Sequence, residues 1–342
     1  MPTIKEVAKL AGIAVSTASD ALNGKPGVSP RTRHRALMAA EELGYVPNPI
    51  AQGLVTRTTK TVGVILSGPP SFELFTNPAF VEVIRAVTVT LSKRKYHTLL
   101  NVITTEEEVE VIPQVARSRL VEALILVGTR RNDLELPRWL EEVSIPSTVV
   151  IRSAPDSGAY AVSVDNNKCG YVATRYLLEL GHRSIGYIGH LPGVSPADER
   201  LAGYRRALEE WGIAYDESLV APGDFYQESG SVAMRWLLDQ AKHAPTAVFA
   251  ANDLMALGAM EALEKEGFSI PGDISMVGCD DIPNLHLLRA PLTSVSLQAF
   301  EIGCLAAKKV MGVLEGDDRM PDQIVLEPNL KIRSSAKALA NA

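Results

Sequence analysis

Apolar residues recur at two different spacings along the 342 residues, and the change of spacing divides the chain. Over the first 45 positions the spacing is helical. In Ile13–Asn23, IAVSTASDALN, residues Ala18, Ala21 and Leu22 form an i, i+3, i+4 stripe while Ser16, Ser19, Asp20 and Asn23 point the opposite way. Just upstream, TIKEVAKLAG predicts a short helix with Thr3 and Glu6 as a capping box and Ile4, Val7, Ala8 and Ala11 as its buried stripe, ended by Gly12. Ser29-Pro30, a cap followed by proline at N1, opens a third helix running to Leu43, with Gly44 as the residue after its end. Two short helices joined by a tight glycine turn, the second polar on its outer face, match the helix-turn-helix geometry that sets a recognition helix into a major groove. Any two-helix pair with a glycine turn fits the same pattern.

Residues 48–55, NPIAQGLV, begin like a helix, with Asn48 as cap and Pro49 at N1, yet span only about two turns and contain Gly53. So short a helix is marginal alone in water, and the predicted behaviour is order only on support. From residue 61 the spacing changes. Continuous apolar runs (TVGVILS, YHTLLNVI, ALILVG, STVVI, AVSV, SIGYIG, AVFAA, ISMVG) alternate with helical patterns, namely from Asn77-Pro78 to about Arg94, near 106–118, near 135–143, Asn167 to Leu180, and around 198–212, 229–241 and 253–266. Such alternation predicts parallel sheets covered on both faces, and some ten strands over 280 residues exceed one compact domain, so two sheets are expected.

Charge sharpens the division. Residues 1–60 carry eight basic against four acidic side chains, net +4, while the rest carries 26 against 36, net −10, within an overall −6. A basic head on an acidic chain is an electrostatic footprint for phosphate. There is no run of 18 apolar residues and no apolar start, which argues against a membrane span or export; three cysteines without a CxxC pair argue for reduced thiols and against a zinc site. No cofactor is predicted: GxGxxG, GxxxxGK[ST], HExxH and GxSxG are all missing, and no acid/base pair stands out.

Ligands of open α/β sheets sit beyond the strand carboxyl ends. There the sequence offers Ser67, Gly128, Asp165-Asn166, His190, Asn252-Asp253 and Asp280-Asp281. Most are also good helix caps; together they predict a cleft for a hydroxylated or charged small molecule.

The head, TIKEVAKLAG followed by STAS, LNGKPGVSP, EELGYVPNPIA and a leucine, resembles the N-terminal pattern of the lac-repressor-type (LacI/GalR) family of bacterial transcription regulators. The body repeats the resemblance in order, through NPAF at 77–80, VDN at 164–166, GHRSIGYIG at 181–189, ERLAGY at 199–204, FAANDLMALGA at 249–259 and VGCDDI at 277–282. It implies an all-α helix-turn-helix head over 1–47, a hinge helix and linker over 48–60, and a two-lobed periplasmic-binding-protein-like core of doubly wound parallel sheets over 61–342. One lobe would comprise about 61–162 and 291–325, the other about 163–290 and 326–342.

By that resemblance Val15, Ser16 and Asp20 meet base edges; Thr17, Ser19, Asn23, Ser29 and Thr32 hold phosphates; and Leu54, beside Asn48, Ala51 and Gln52, wedges into a minor-groove step. Arg200, Asn252 and Asp280 contact the effector and Phe225 supplies an aromatic wall, with Ser67, Phe80, Gly128 and Asp165 completing the candidate site. The partners implied are a double-stranded operator, a carbohydrate or related metabolite, and a second copy of the chain, in the cytoplasm and away from membranes. Four departures qualify this. Ala14 stands at a usual capping position, at a cost of about 1 kcal/mol. Asp20 stands where many members carry arginine, and it either selects cytosine or excludes wrong partners near phosphate. Ile151 and Leu297 replace common polar contacts, and PPSFELF at 69–75 adds Phe72 and Phe75, so a less polar or larger ligand than a monosaccharide fits the sequence. The final RSSAKALANA shows no heptad run, so no tetramerisation helix is expected. The rival readings are an enzyme of doubly wound fold, separable by ligand turnover, and a transport solute-binding protein, disfavoured by the basic head.

Overall fold

A computed structural model describes residues 2–46, 58–68, 77–128, 145–152, 159–240, 244–317 and 319–339. The expected hinge helix with Asn48, Ala51, Gln52 and Leu54, the helix near 135–143, and Phe72 and Phe75 lie outside the described residues. The chain forms two compact units, Met1–Lys60 and Thr61–Ala342.

In the first unit, helices α1 (Ile4–Ala11), α2 (Val15–Leu22) and α3 (Pro30–Glu42) enclose a small core of Val7, Ala11, Ala39 and Ala40, flanked by Ile13, Leu22, Leu43 and Tyr45. Thr3 and Glu6 form the capping box of α1, and Ser29 Oγ accepts from Thr32 N to cap α3. Ala14 gives α2 no side-chain cap. The alanines at 8, 18, 21 and 36 are buried, which lets the short helices pack closely.

The second unit has two six-stranded sheets. The first contains β1 (Thr61–Gly68), β2 (His97–Thr104), β3 (Ala123–Val127), β4 (Ser147–Val150), β5 (Tyr160–Val164) and β11 (Gln323–Leu326), ordered β11-β5-β4-β3-β1-β2 and parallel throughout. Alternation decides its faces. Val62, Val64 and Leu66 pack toward α4 (Pro78–Lys93), whereas Ile65 joins Ile112 and Ala116 of α5 (Glu108–Arg117) on the other side. The second sheet contains β6 (Ile185–His190), β7 (Val220–Pro222), β8 (Ala247–Ala250), β9 (Ser275–Asp280), β10 (Thr293–Ser296) and β12 (Asn329–Lys331), ordered β12-β10-β9-β8-β6-β7, with only β12 antiparallel. Tyr187 of β6 meets Tyr204 of α7 (Ser195–Glu210), while neighbouring Gly186 faces Leu237 of α8 (Gln227–Gln240).

Helix α6 (Asn166–Glu179) crosses α7 at glycines. A Cβ on Gly170 would lie 1.9 Å from the Arg200 carbonyl oxygen, and one on Gly203 would lie 1.9 Å from that of Asn167. Only hydrogen side chains allow this approach, which seats Arg200 against the amino end of α6. Helix α9 (Asp253–Lys265) follows β8, and α10 (Ala299–Glu315) packs beside α4 on the first sheet.

The chain changes sheet after Val164, after Ser296 and after Leu326. The second change falls later than the expected 290 because β10 pairs with β9 through a four-residue parallel register, keeping Thr293–Ser296 in the second lobe. The crossovers are tied together: Asp165 N donates to Leu326 O at 3.0 Å, Gln298 Nε2 to Glu327 O at 2.6 Å, and Lys168 pairs with Glu327. Strands β7, β10, β11 and β12 and helix α10 lie in stretches to which the pattern assigns no element.

Candidate functional site

The strand carboxyl ends of the two lobes face a common pocket of about 710 Å³ of empty volume, its mouth included. The backbone turns sharply there: Ile151, Phe225, Asp280 and Gln298 have φ of 72°, 73°, 119° and 58°. Non-glycine residues in the left-handed region are costly, most of all a β-branched one, and they persist where the surrounding structure over-determines them.

Of the eight effector candidates, Phe80, Gly128, Arg200, Phe225 and Asp280 line the pocket. The other three do not. Ser67 is buried and donates to the Glu108 carboxylate; Asp165 caps α6 by accepting from Lys168 N at 2.8 Å; Asn252 caps α9 by accepting from Met255 N at 2.9 Å. Each is turned from the pocket by a partner closer in the chain or fold. Asn252 nevertheless supports the wall from behind, donating to the Phe225 carbonyl at 2.9 Å. His190 is not among the lining residues.

The wall also contains residues that the sequence did not mark as effector contacts, chiefly Asn77, Arg152, Val194 and Tyr226. Asn77 was legible only as the cap of α4, which it is, accepting from Ala79 N at 3.0 Å. Arg152 is 93 % buried, and its signal was an arginine directly after the apolar run of β4. Ile151 and Leu297, the two apolar departures, both fall on the wall.

Arg200 is the charged centre. Its side chain is 2 % exposed, Nε donates to Asn166 Oδ1 at 3.0 Å, Nη1 donates to Ala251 O, and Nη1 stands 3.6 Å from Asp280 Oδ1. Asn166 in turn donates to Ile151 O at 3.3 Å, so one amide ties Arg200 of the second lobe to the first. Burial pushes the Asp280 carboxyl up to about 7 against the pull of Arg200. Behind it, burial first and the charge of Asp280 next push Asp253 well above the usual carboxylate range, opposed by hydrogen bonds from Ser294 Oγ and Ile282 N. Asp280 thus stands between the Arg200 guanidinium and a second buried carboxyl, Asp253, which is held by Ser294 Oγ and Ile282 N. Such a site can accept hydroxyl hydrogens at Asp280, donate from Arg200, and cover a ring face with Phe80 or Phe225.

In the head, Val15 and Ser16 are exposed at the start of α2, with Thr17, Ser19, Asp20 and Asn23 half-buried along it. Asn23 Nδ2 donates to Ser19 Oγ at 3.3 Å, and Ser29 and Thr32 hydroxyls bond to each other at 2.8 Å. Two arginines of the basic cluster have structural work: Arg33 donates to Lys25 O at 2.7 Å, and Arg35 donates to Ala11 O and Gly12 O, covering the end of α1. Among the described residues there is no group of three or more potential metal-ligating side chains, and no helix is long and apolar enough to cross a membrane. Cys169, Cys279 and Cys304 are free thiols.

Comparison with known proteins agrees with this architecture. Residues 3–48 match the family described as bacterial regulatory proteins, lacI family, and residues 174–336 match the periplasmic binding protein-like domain. The chain is 38 % identical over 336 residues to the HTH-type transcriptional regulator CelR of Thermobifida fusca, covering 98 % of each chain. It is 32 % identical over 340 residues to the HTH-type transcriptional repressor CytR of Escherichia coli K12, covering 98 % of this chain and 97 % of that one. A solved structure described as a transcriptional regulator CelR-cellobiose complex superposes with a TM-score of 0.75 at 36 % identity, covering 98 % of this chain and all of the other. Head, two-sheet core and full-length similarity together make this chain a member of the lacI family of bacterial regulatory proteins, transcription regulators rather than enzymes.

Proposed function

We propose that the chain is a cytoplasmic transcriptional repressor that binds an inverted-repeat operator as a homodimer and is controlled by a carbohydrate held in the core pocket. The carrying observation is the buried pair of Arg200 on α7 and Asp280 at the end of β9, in a pocket also lined by Phe80 and Phe225: a guanidinium fork and a carboxylate grip neighbouring hydroxyls while aromatic faces cover the apolar side of a sugar ring. Ile151 and Leu297 make the wall less polar, which favours a ligand larger than a single sugar. The relative solved with cellobiose supports a ligand of disaccharide size.

In this reading Val15, Ser16 and Asp20 meet base edges and the hydroxyls of Thr17, Ser19 and Thr32 approach phosphates, while Leu54 reaches a base step from the hinge segment. Effector affinity differs between open and closed lobes, and the crossovers at 165, 297–298 and 327–328 carry the pivot. A coupling of about 1–3 kcal/mol changes operator affinity roughly 5- to 150-fold.

The test has two stages. Duplexes are selected by the full-length protein from a random library, and the winning duplex is titrated with and without a panel of mono- and disaccharides, with native mass spectrometry reporting the bound species. An inverted-repeat site whose affinity shifts at least about fivefold with one sugar is the expected outcome. Equal affinity for selected and scrambled duplexes overturns the reading.

A further inference from the structure

Resting on the DNA-regulator reading, the head contains a device that sets what one position of the recognition helix can read. Helix α2 ends in a two-bond cap: Gly24 N donates to Ala21 O at 3.3 Å and Lys25 N donates to Asp20 O at 3.0 Å. This wrap requires a left-handed residue between them, and Gly24 supplies it with φ of 69°. The consequence is that Lys25, five residues beyond Asp20, is folded back over it, and its ammonium lies 3.0 Å from the Asp20 carboxylate. The fold is fastened from the other side, because Arg33 of α3 donates to the Lys25 carbonyl at 2.7 Å. Both bonding groups of the Lys25 backbone are therefore committed, one to the recognition helix and one to the helix that braces it.

The two charged side chains remain about half accessible, at 41 % for Asp20 and 45 % for Lys25. Asp20 stands on the face of α2 opposite the buried Ala18 and Ala21, which is the face a recognition helix turns to the groove, and the Lys25 ammonium lies against it. A bare carboxylate there would be repelled by phosphates. Beside an ammonium it is neutralised, and the pair offers an acceptor next to a donor. In the major groove a C·G pair shows the cytosine N4 amino donor beside the O6 and N7 acceptors of guanine. An A·T pair also sets a donor beside an acceptor, but the thymine methyl flanks O4 and would strip water from the ammonium. We infer that Asp20 and Lys25 act as one unit reading a single C·G pair, the carboxylate accepting from cytosine N4 and the ammonium donating to the guanine of the same pair. Arg33 is a positioning residue for this unit.

The test compares full-length protein with Asp20→Asn, Lys25→Met and Arg33→Met variants by selection and sequencing of bound duplexes, followed by affinity measurements on duplexes differing at single positions. The parent should enrich cytosine at one position of its site. Asp20→Asn should move that position toward adenine, which an amide recognises through N6 and N7. Lys25→Met should reduce discrimination at that same position by about 5- to 150-fold and leave the other positions unchanged. Arg33→Met should weaken it in the same direction. Because the ion pair is exposed, its loss leaves the head folded, and unchanged preferences elsewhere in the site report that directly. A phosphate-only role for Lys25 predicts uniformly weaker binding to every duplex with no change in base preference, and that result overturns the inference. So does a parent preference for any pair other than C·G at the position Asp20→Asn alters, or an Asp20→Asn variant that alters none. A parent that selects no sequence at all instead overturns the regulator reading on which the inference stands.

Discussion

Replacing Arg200 by methionine tests whether the pocket is organised by one buried cation. The substitution keeps most of the side-chain volume, so its effects come from the missing guanidinium. Asn166 Oδ1 and Ala251 O lose the donors that now reach them in the interior, at about 1–3 kcal/mol for each buried acceptor left without a replacement. Asp280 also loses its cation at 3.6 Å. That part is limited, because a carboxyl already pushed up to about 7 takes a proton once the cation has gone. The two effects overlap, and the expected loss is about 3–5 kcal/mol, in the range found when one partner of a buried pair is removed. Urea unfolding at pH 7, followed by tryptophan fluorescence, measures it, and calorimetric titration with the identified sugar should show no binding heat. Arg200→Lys restores charge without the planar fork and should recover stability more than affinity. A methionine variant within about 1 kcal/mol of the parent that still binds sugar would show that Arg200 is a spectator.

The remaining predictions concern neighbouring features. Asp280 has its carboxyl raised from 3.8 to about 7 in the folded chain, so the folded state holds the extra proton between these values and stability contributed by this group falls as pH rises from about 4 to 7, then levels. Asp280→Asn should therefore gain on the parent across that window, by up to about 4 kcal/mol; parallel stability curves would refute it. If sugar hydroxyls donate to the ionised carboxylate, parent affinity should rise as pH passes upward through 7, and isothermal titration at pH 6 and 8 would detect a flat response. Gly203→Ala places a methyl 1.9 Å from the Asn167 carbonyl oxygen and should cost about 1–3 kcal/mol or more by forcing α6 and α7 apart, visible as a lower melting temperature; an unchanged melt contradicts the close crossing. Arg35→Met removes the donor covering Ala11 O and Gly12 O, and hydrogen exchange in the full-length protein should quicken across α1 while the core amides stay protected.

Local sequence determined what local forces control. The capping box of Thr3 and Glu6, the serine cap at 29, the left-handed glycines at 12 and 44, and the apolar runs that became β1, β3, β8 and β9 are settled by neighbours within about four residues or by strand burial. The same reach explains the charged head and Asp280 at the end of β9, whereas Arg200, inside α7, and Phe225 were expected only through the family resemblance. Tertiary structure alone decided the rest. Whether Asp165 and Asn252 served as ligands or caps depended on which way a strand end turned, and both turned inward to their helices. The late crossover after Ser296 depended on pairing with β9, and the engagement of Arg33 and Arg35 on carbonyls folded back from residues 8 to 24 positions away. Such contacts join groups distant in the chain, and no spacing within a single element encodes them.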